Sequence, residues 1–146
     1  MQNPLELLNE DCLLDHVAVV VKDLSKAKEL WANIGLNFDS EEEVVESQGV
    51  TTAFAPMDNN AHLELLCPYG ESGPIHKFLE KKGEGIHHLC FKVPNVKAKC
   101  DELKEKGFIL INEEPVLGAG GCMVNFIHPK STGGVLIELS QKPKES

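Results

Sequence analysis

The feature that most restricts how this chain can fold is an internal repeat. Three segments of the first half recur in the second half, in the same order and at an offset of 72 or 74 residues. They are 15–27 with 87–99, 50–56 with the first seven residues of 122–129, and 62–66 with 136–140. Such self-similarity predicts two copies of one supersecondary unit. The two extra residues of the last offset fall in the turn before the final strand, where insertions are tolerated.

Hydrophobic patterning assigns the same elements to both halves. Short β-branched or alternating runs predict strands, and apolar residues at helical spacing predict helices. Ser25 is expected to cap the first helix and Gly35 to end it, whereas Pro74 and Gly83 are expected to bound a short helix between the halves. A third helix is predicted to end at Gly107. The predicted strands are 14–21, 50–56, 62–68, 85–93, 108–111, 122–129 and 135–141, with 39–47 as a solvated edge or loop and 113–121 as a loop.

The order of these elements predicts an α+β fold built from tandem βαβββ units. A chain of 146 residues suits one compact domain of this kind. The expected organisation is an N-terminal extension at 1–12, a single domain at 13–141 with modules 13–68 and 85–141 joined by a linker helix at 69–84, and a polar tail at 142–146.

Charge and composition exclude several classes of function. The chain has 14 basic and 23 acidic residues, a net charge of −9, so neither a nucleic acid nor an anionic membrane is an expected partner. We find no apolar run near the roughly 20 residues of a membrane helix. The first residues lack a basic segment and a small-residue cleavage site, so we do not expect them to form a signal peptide. The five cysteines are odd in number and form no C-x-x-C pair. This pattern indicates reduced thiols and a cytoplasmic protein.

The candidate chemistry lies where the repeat aligns histidine with histidine and glutamate with glutamate. His16 aligns with His88, and Glu64 aligns with Glu138. Each lies within a strand, and alternation along the strand is expected to put its side chain on the face opposite to its apolar neighbours. A carboxylate among such neighbours is costly unless a charged group meets it. Two imidazoles and two carboxylates form a donor set suited to one divalent ion, such as Co, Mn, Ni, Zn or Fe. We therefore predict a metal site formed by these four residues.

Each of these residues also has a simpler interpretation. A single strand histidine is more often hydrogen-bonded in the core or at the surface, and a single glutamate often faces solvent. The joint recurrence at equivalent positions favours the metal site. His87 competes with His88, but the alignment and the strand phase favour His88. The remaining histidines have no repeat partner and are interpreted as loop or helix residues: His62, His76 and His128.

Several longer motifs resemble those of a known family. They are LDHVAVVVKDL, LELLCP, SGPIHKFLEKKGEGIHHLCFKV, GFILINEEP and GAGGCMVNFIHPKSTGGVLIELSQ, and they span residues 14–141. The tandem βαβββ order resembles the vicinal oxygen chelate (glyoxalase-like) superfamily, and within it the motifs resemble the methylmalonyl-CoA epimerase family. The resemblance implies a curved mixed sheet around the metal site.

The resemblance also implies an activity and residue roles. It implies epimerisation of an acyl-CoA at C2 through a metal-stabilised enolate, by a chain that usually forms a homodimer. His16, His88 and Glu138 fall on the family's metal ligands, and Glu64 falls on a fourth ligand that is Gln or Glu in different members. Glu138 is also implicated in proton transfer. Some members carry a further glutamate where this chain has Thr52.

Because threonine cannot act as a base, Glu64 is expected to be the second catalytic base beside Glu138. We expect Lys130 and Ser131, in the turn HPKSTGG, to contact a phosphate of CoA. Three other activities remain open: a glyoxalase I-type lactoylglutathione lyase, an extradiol dioxygenase, and a non-catalytic ligand-binding protein of the bleomycin-resistance type. The dioxygenase alternative would leave Glu64 without a role.

Overall fold

The computed structural model describes residues 11–38 and 41–143. The predicted extension up to residue 10 and the last three residues of the predicted tail lie outside this part of the chain. The helices and strands are β1 (Leu13–Val20), α1 (Leu24–Ile34), β2 (Glu43–Val45), β3 (Val50–Pro56), β4 (His62–Pro68), α2 (Pro74–Lys82), β5 (Gly85–Lys92), α3 (Val96–Glu105), β6 (Val116–Leu117), β7 (Met123–Ile127) and β8 (Ile137–Gln141).

The chain divides into two compact units with the same strand arrangement. The first unit comprises residues 16–88, and the second comprises the described residues of 1–15 and 89–146. The strand order is β2-β3-β4-β1 in the first unit and β5-β8-β7-β6 in the second. In each, one parallel pair (β1 with β4, β5 with β8) is extended by antiparallel strands. The repeated order is the structural counterpart of the repeat in the sequence.

The first unit packs its sheet on both faces. Val19, Leu63 and Leu65 lie on one face and form a core with residues of α1. On the opposite face, Ala18, Val20 and Leu66 pack with residues of α2. Full burial of each leucine side chain contributes roughly 1.5–3 kcal/mol. Residues of even number in β1 and β4 therefore share the face on which α2 packs.

The second unit has one core, between its sheet and α3. Val96 and Cys100 of α3 pack against Ile127 and Leu139. Burial raises the pKa of the Cys100 thiol, and a hydrogen bond from Asn125 opposes this only in part. None of the five cysteines forms a disulfide, as the sequence indicated. No helix in the described part of the chain is long and apolar enough to cross a bilayer.

Two local predictions are wrong. Asp23, not Ser25, caps α1, because its carboxylate accepts a hydrogen bond from the Lys26 amide three residues on. The predicted strand 108–111 forms only an isolated bridge, from Leu110 to Ile127, and the edge strand is instead β6, inside the predicted loop. Pro74 and Gly83 bound α2 as predicted.

Asn125 is a fully buried polar residue that fixes the chain next to this edge. Its side-chain oxygen accepts from the Asn112 amide at 3.1 Å, and its side-chain nitrogen donates to the Asn112 carbonyl at 3.0 Å. The same nitrogen lies 3.5 Å from Cys100 Sγ. The Asn125 side chain thus satisfies the backbone amide and carbonyl of Asn112, as a neighbouring strand would do.

We expect Asn125→Ala to lower the free energy of unfolding by about 2–4 kcal/mol, because it leaves two backbone groups near Asn112 without their partner. Urea denaturation followed by circular dichroism measures this. Asn112→Ala is the matched control, since Asn112 meets Asn125 only through its backbone, and it should cost less than about 1 kcal/mol. Equal losses for the two variants would contradict this role of Asn125.

Candidate metal centre

The pairing of β1 with β4 places histidine and glutamate on one face of the first unit. In the parallel register His16 lies beside His62 and Ala18 lies beside Glu64. Because side chains alternate along a strand, His16, His62 and Glu64 all project from the face opposite to Leu63 and Leu65. The predicted alternation is therefore confirmed: the polar residues occupy one face, and the core below α1 occupies the other.

Three of the four predicted metal ligands lie close together, because His88 and Glu64 both approach Nε2 of His16. His16 Nε2 lies 3.2 Å from His88 Nε2 and 3.6 Å from Glu64 Oε2. His16 and His88 are only 7% and 6% exposed. Two imidazole nitrogens that bind one ion at about 2.1 Å each lie roughly 3.0–3.4 Å apart. The observed separation of the two Nε2 atoms fits two ligands of one divalent ion.

Glu138 occupies in the second unit the position that Glu64 occupies in the first. Glu64 lies between Ala18 and Phe54 in the strand register, and Glu138 lies between Cys90 and Phe126. These flanking residues are themselves aligned by the sequence repeat, Ala18 with Cys90 and Phe54 with Phe126. The pairing of strands thus reproduces the alignment that related Glu64 to Glu138.

His62 is a site residue that the sequence interpretation missed. It begins β4, and its ring centroid lies 5.2 Å from that of His16 and 5.1 Å from that of Phe54. It also lines a cavity of about 590 Å³, with Phe54 and the β3–β4 turn. Its spacing of two residues from Glu64 was the available signal, because that spacing puts both side chains on one face.

The chain is similar to proteins of known family. The Glyoxalase/Bleomycin resistance protein/Dioxygenase superfamily matches residues 15–126. The human mitochondrial methylmalonyl-CoA epimerase is 43% identical over 129 residues, which are 88% of this chain and 73% of the human protein. The chain belongs to the methylmalonyl-CoA epimerase family.

Solved structures of the same family agree. The epimerase from Mycobacterium tuberculosis superposes with a TM-score of 0.83 at 36% identity, covering 94% of this chain and 93% of that one. A variant of the Streptomyces coelicolor epimerase, in complex with 2-nitronate-propionyl-CoA, superposes with a TM-score of 0.83 at 33% identity, covering 90% of this chain and 98% of that one. The predicted glyoxalase-like α+β fold is confirmed.

The position at which some members of the epimerase family carry a further glutamate has no acidic group here. Thr52 is buried in β3, and its hydroxyl lies 3.3 Å from the Glu43 carbonyl oxygen, to which it donates. The preceding motif is held tightly: Gly49 has φ +64°, and a Cβ there would lie 2.7 Å from the Ser72 carbonyl oxygen. Thr52 thus has a structural hydrogen bond and no acid–base capacity.

The residues predicted to contact CoA lie in the second unit, in a short helical turn after β7. The Ser131 hydroxyl accepts a hydrogen bond from the Ile109 amide at 2.9 Å, and Lys130 is exposed. His128 accepts from the Lys130 amide, which orders the turn. In the first unit, His76 lies on α2 and its Nε2 is 2.9 Å from the Gly70 carbonyl oxygen. His76 and His128 are therefore helix and turn residues, as predicted.

Proposed function

We propose that this protein interconverts the two C2 epimers of methylmalonyl-CoA, using one divalent ion held by His16, Glu64, His88 and Glu138. The observation that carries the proposal is the convergence of His88 and Glu64 on Nε2 of His16, in a chain of the epimerase family. The fourth ligand is proposed from the equivalent positions of Glu138 and Glu64 in the two strand registers.

The donor set of two imidazoles and two carboxylates suits an ion of intermediate hardness: Co, Mn, Ni, Zn or Fe. Such an ion would act as a Lewis acid that stabilises the negative charge developing on the thioester oxygen when the C2 proton leaves. The ligand residues would hold the ion, and with it the stabilising positive charge, close to the carbon that loses the proton. The burial of His16 and His88 keeps water away from this charge, which strengthens the electrostatic effect.

Inversion at C2 needs a proton taken from one face and returned on the other. We propose Glu138 and Glu64 as the two bases, one from each unit. The repeat supplies a carboxylate at the same position of both units, and Thr52 leaves the first unit with no other acidic group at the position used by some relatives. Each glutamate would thus bind the ion and move a proton.

We propose that Lys130 and Ser131 contact a phosphate of CoA. Lys130→Ala should then raise the KM for methylmalonyl-CoA about fivefold, which corresponds to the roughly 1 kcal/mol of an exposed ion pair. The KM for a pantetheine-truncated thioester, which lacks the phosphates, should not change. Lys81→Ala is the control, because it removes an exposed lysine from α2 and changes the net charge by the same amount. Equal effects on both substrates would reject the phosphate contact.

The decisive experiment is solvent deuterium exchange at C2 of methylmalonyl-CoA, with protein stripped of metal and protein restored with each ion. We expect exchange and inversion to fall by about 10²- to 10³-fold on metal removal, the loss typical of one missing electrostatic contact in the transition state, and to return with the ion. Lactoylglutathione formation instead would favour the glyoxalase I alternative. Ring cleavage of a catechol would favour the dioxygenase, and ligand binding without any exchange would favour the bleomycin-resistance type.

We propose a homodimer in the cytoplasm as the working state of the protein. Five cysteines without a disulfide fit a reducing compartment. The short strands β2 and β6 end the strand order in their units, and a partner that covered either edge would satisfy exposed backbone groups. Light scattering of the purified protein measures the oligomeric state.

A further inference from the structure

His87 makes two contacts that the proposed reaction does not use. Its Nδ1 lies 2.8 Å from Nδ1 of His88, within hydrogen-bond distance. Its ring also meets the ring of Phe78 on α2, with centroids 4.9 Å apart and an interplanar angle of 74°. This edge-to-face arrangement is favourable for two aromatic rings. His87 therefore lies between helix α2 and a candidate metal ligand.

The tautomer of His88 follows from its two neighbours. Its Nε2 faces His16 Nε2 at 3.2 Å and must offer a lone pair if it is to bind an ion. A neutral imidazole has a single N–H, so the proton of His88 must then lie on Nδ1. The acceptor for that proton is Nδ1 of His87, which places the proton of His87 on its own Nε2. A metal-binding histidine commonly donates its other N–H in this way, which fixes its tautomer and ring orientation.

Helix α2 holds the acceptor in place. Phe78 packs against the core of the first unit that contains Ala18 and Val20, so its ring position is set by buried residues. The Lys82 ammonium lies 5.7 Å from the centroid of the same ring, on the last turn of the helix. The position of the His87 ring is therefore determined by the packing of α2 and not by β5 alone.

We propose that His87 is a positioning residue: it accepts the Nδ1 proton of His88 and, held by Phe78, directs Nε2 of His88 toward the metal. This inference rests on the proposed role of His88 as a metal ligand. Loss of the acceptor alone should weaken metal binding about 10- to 100-fold, the effect typical of removing a hydrogen-bond partner of a ligand.

Two substitutions separate the hydrogen bond from the packing. His87→Leu keeps an apolar side chain against Phe78 but has no acceptor. His87→Asn has a side-chain oxygen close to the position of Nδ1 and can accept the same proton. We expect His87→Leu to show the 10- to 100-fold loss and His87→Asn to recover affinity to within a few-fold of the unmodified protein.

The test uses the full-length protein with Co²⁺ and Zn²⁺ alone. Affinity is measured by competition with a chelator, and the visible absorption of the Co²⁺ form reports the ligand arrangement. Thermal unfolding of the metal-free variants must match that of the unmodified protein. Equal loss in His87→Leu and His87→Asn, or no loss in His87→Leu, would overturn the proposal. Failure of the unmodified protein to exchange the C2 proton would reject the proposed function, whereas the affinity ratio of the two variants would still decide the role of His87.

Discussion

His88→Ala is expected to leave the protein without its metal and to lower C2 proton exchange by at least about 10²- to 10³-fold. The reason is geometric. His16 Nε2 lies 3.2 Å from His88 Nε2 and 3.6 Å from Glu64 Oε2, and removal of either imidazole takes away one of the two nitrogens proposed to hold the ion. His16→Ala should have the same effect. Metal content by mass spectrometry and deuterium incorporation by NMR measure the two losses.

His76→Ala is the matched control for these variants. It removes a histidine from the same unit, but from α2, where Nε2 of the ring lies 2.9 Å from the Gly70 carbonyl oxygen. We expect this variant to retain metal and exchange activity within about twofold, since it leaves the candidate ligands unchanged. A metal-replete His88→Ala protein would show that the converging imidazoles are not the metal site.

The second large effect is expected from Glu138→Gln and Glu64→Gln, measured separately with each epimer. Loss of one general base typically costs 10²- to 10⁴-fold. If the two glutamates serve opposite faces of C2, neither variant should invert the substrate. Glu138→Gln should exchange the proton of one epimer only, and Glu64→Gln that of the other. Glutamine retains a carbonyl oxygen that can bind metal, so metal content should be checked in both.

The control for the two-base experiment is Thr52→Ser, which preserves the hydroxyl that donates to the Glu43 carbonyl. Its rates should match those of the unmodified protein for both epimers. The two-base proposal fails if Glu64→Gln leaves exchange and inversion unchanged in both directions. In that case Glu138 would remain as a base, and the second proton donor would have to be sought elsewhere.

The sequence predicted the parts of the structure that depend on local periodicity and on the repeat. Alternation placed Glu64 on the face opposite to Leu63 and Leu65, and the structure agrees. The alignment of Glu64 with Glu138 is also seen in the strand pairing, where each glutamate lies opposite a phenylalanine of the neighbouring antiparallel strand. Such features follow from side-chain period and from duplication, which are both visible in one sequence.

The remaining features depend on tertiary packing, which a single sequence does not specify. The register of β1 against β4 brings His62 beside His16, and nothing in either strand alone fixes that register. The contact of His87 with Phe78 depends on where α2 docks. The segment 108–111 has the composition of a strand, yet the buried Asn125 engages the neighbouring backbone at residue 112, and the regular edge pairing passes to β6.

The alternation along β1 and β4 has a consequence for refolding. A slip of one residue in their pairing would turn Glu64 toward the core below α1, and it would turn Leu63 and Leu65 toward the face that packs against α2. Such a slip would separate the candidate ligands and remove the two leucines from their core. Recovery of Co²⁺ absorption after dilution from denaturant would thus report correct strand alignment, whereas far-ultraviolet circular dichroism would report strand content alone. The delay between the two signals would measure how long misaligned sheets persist.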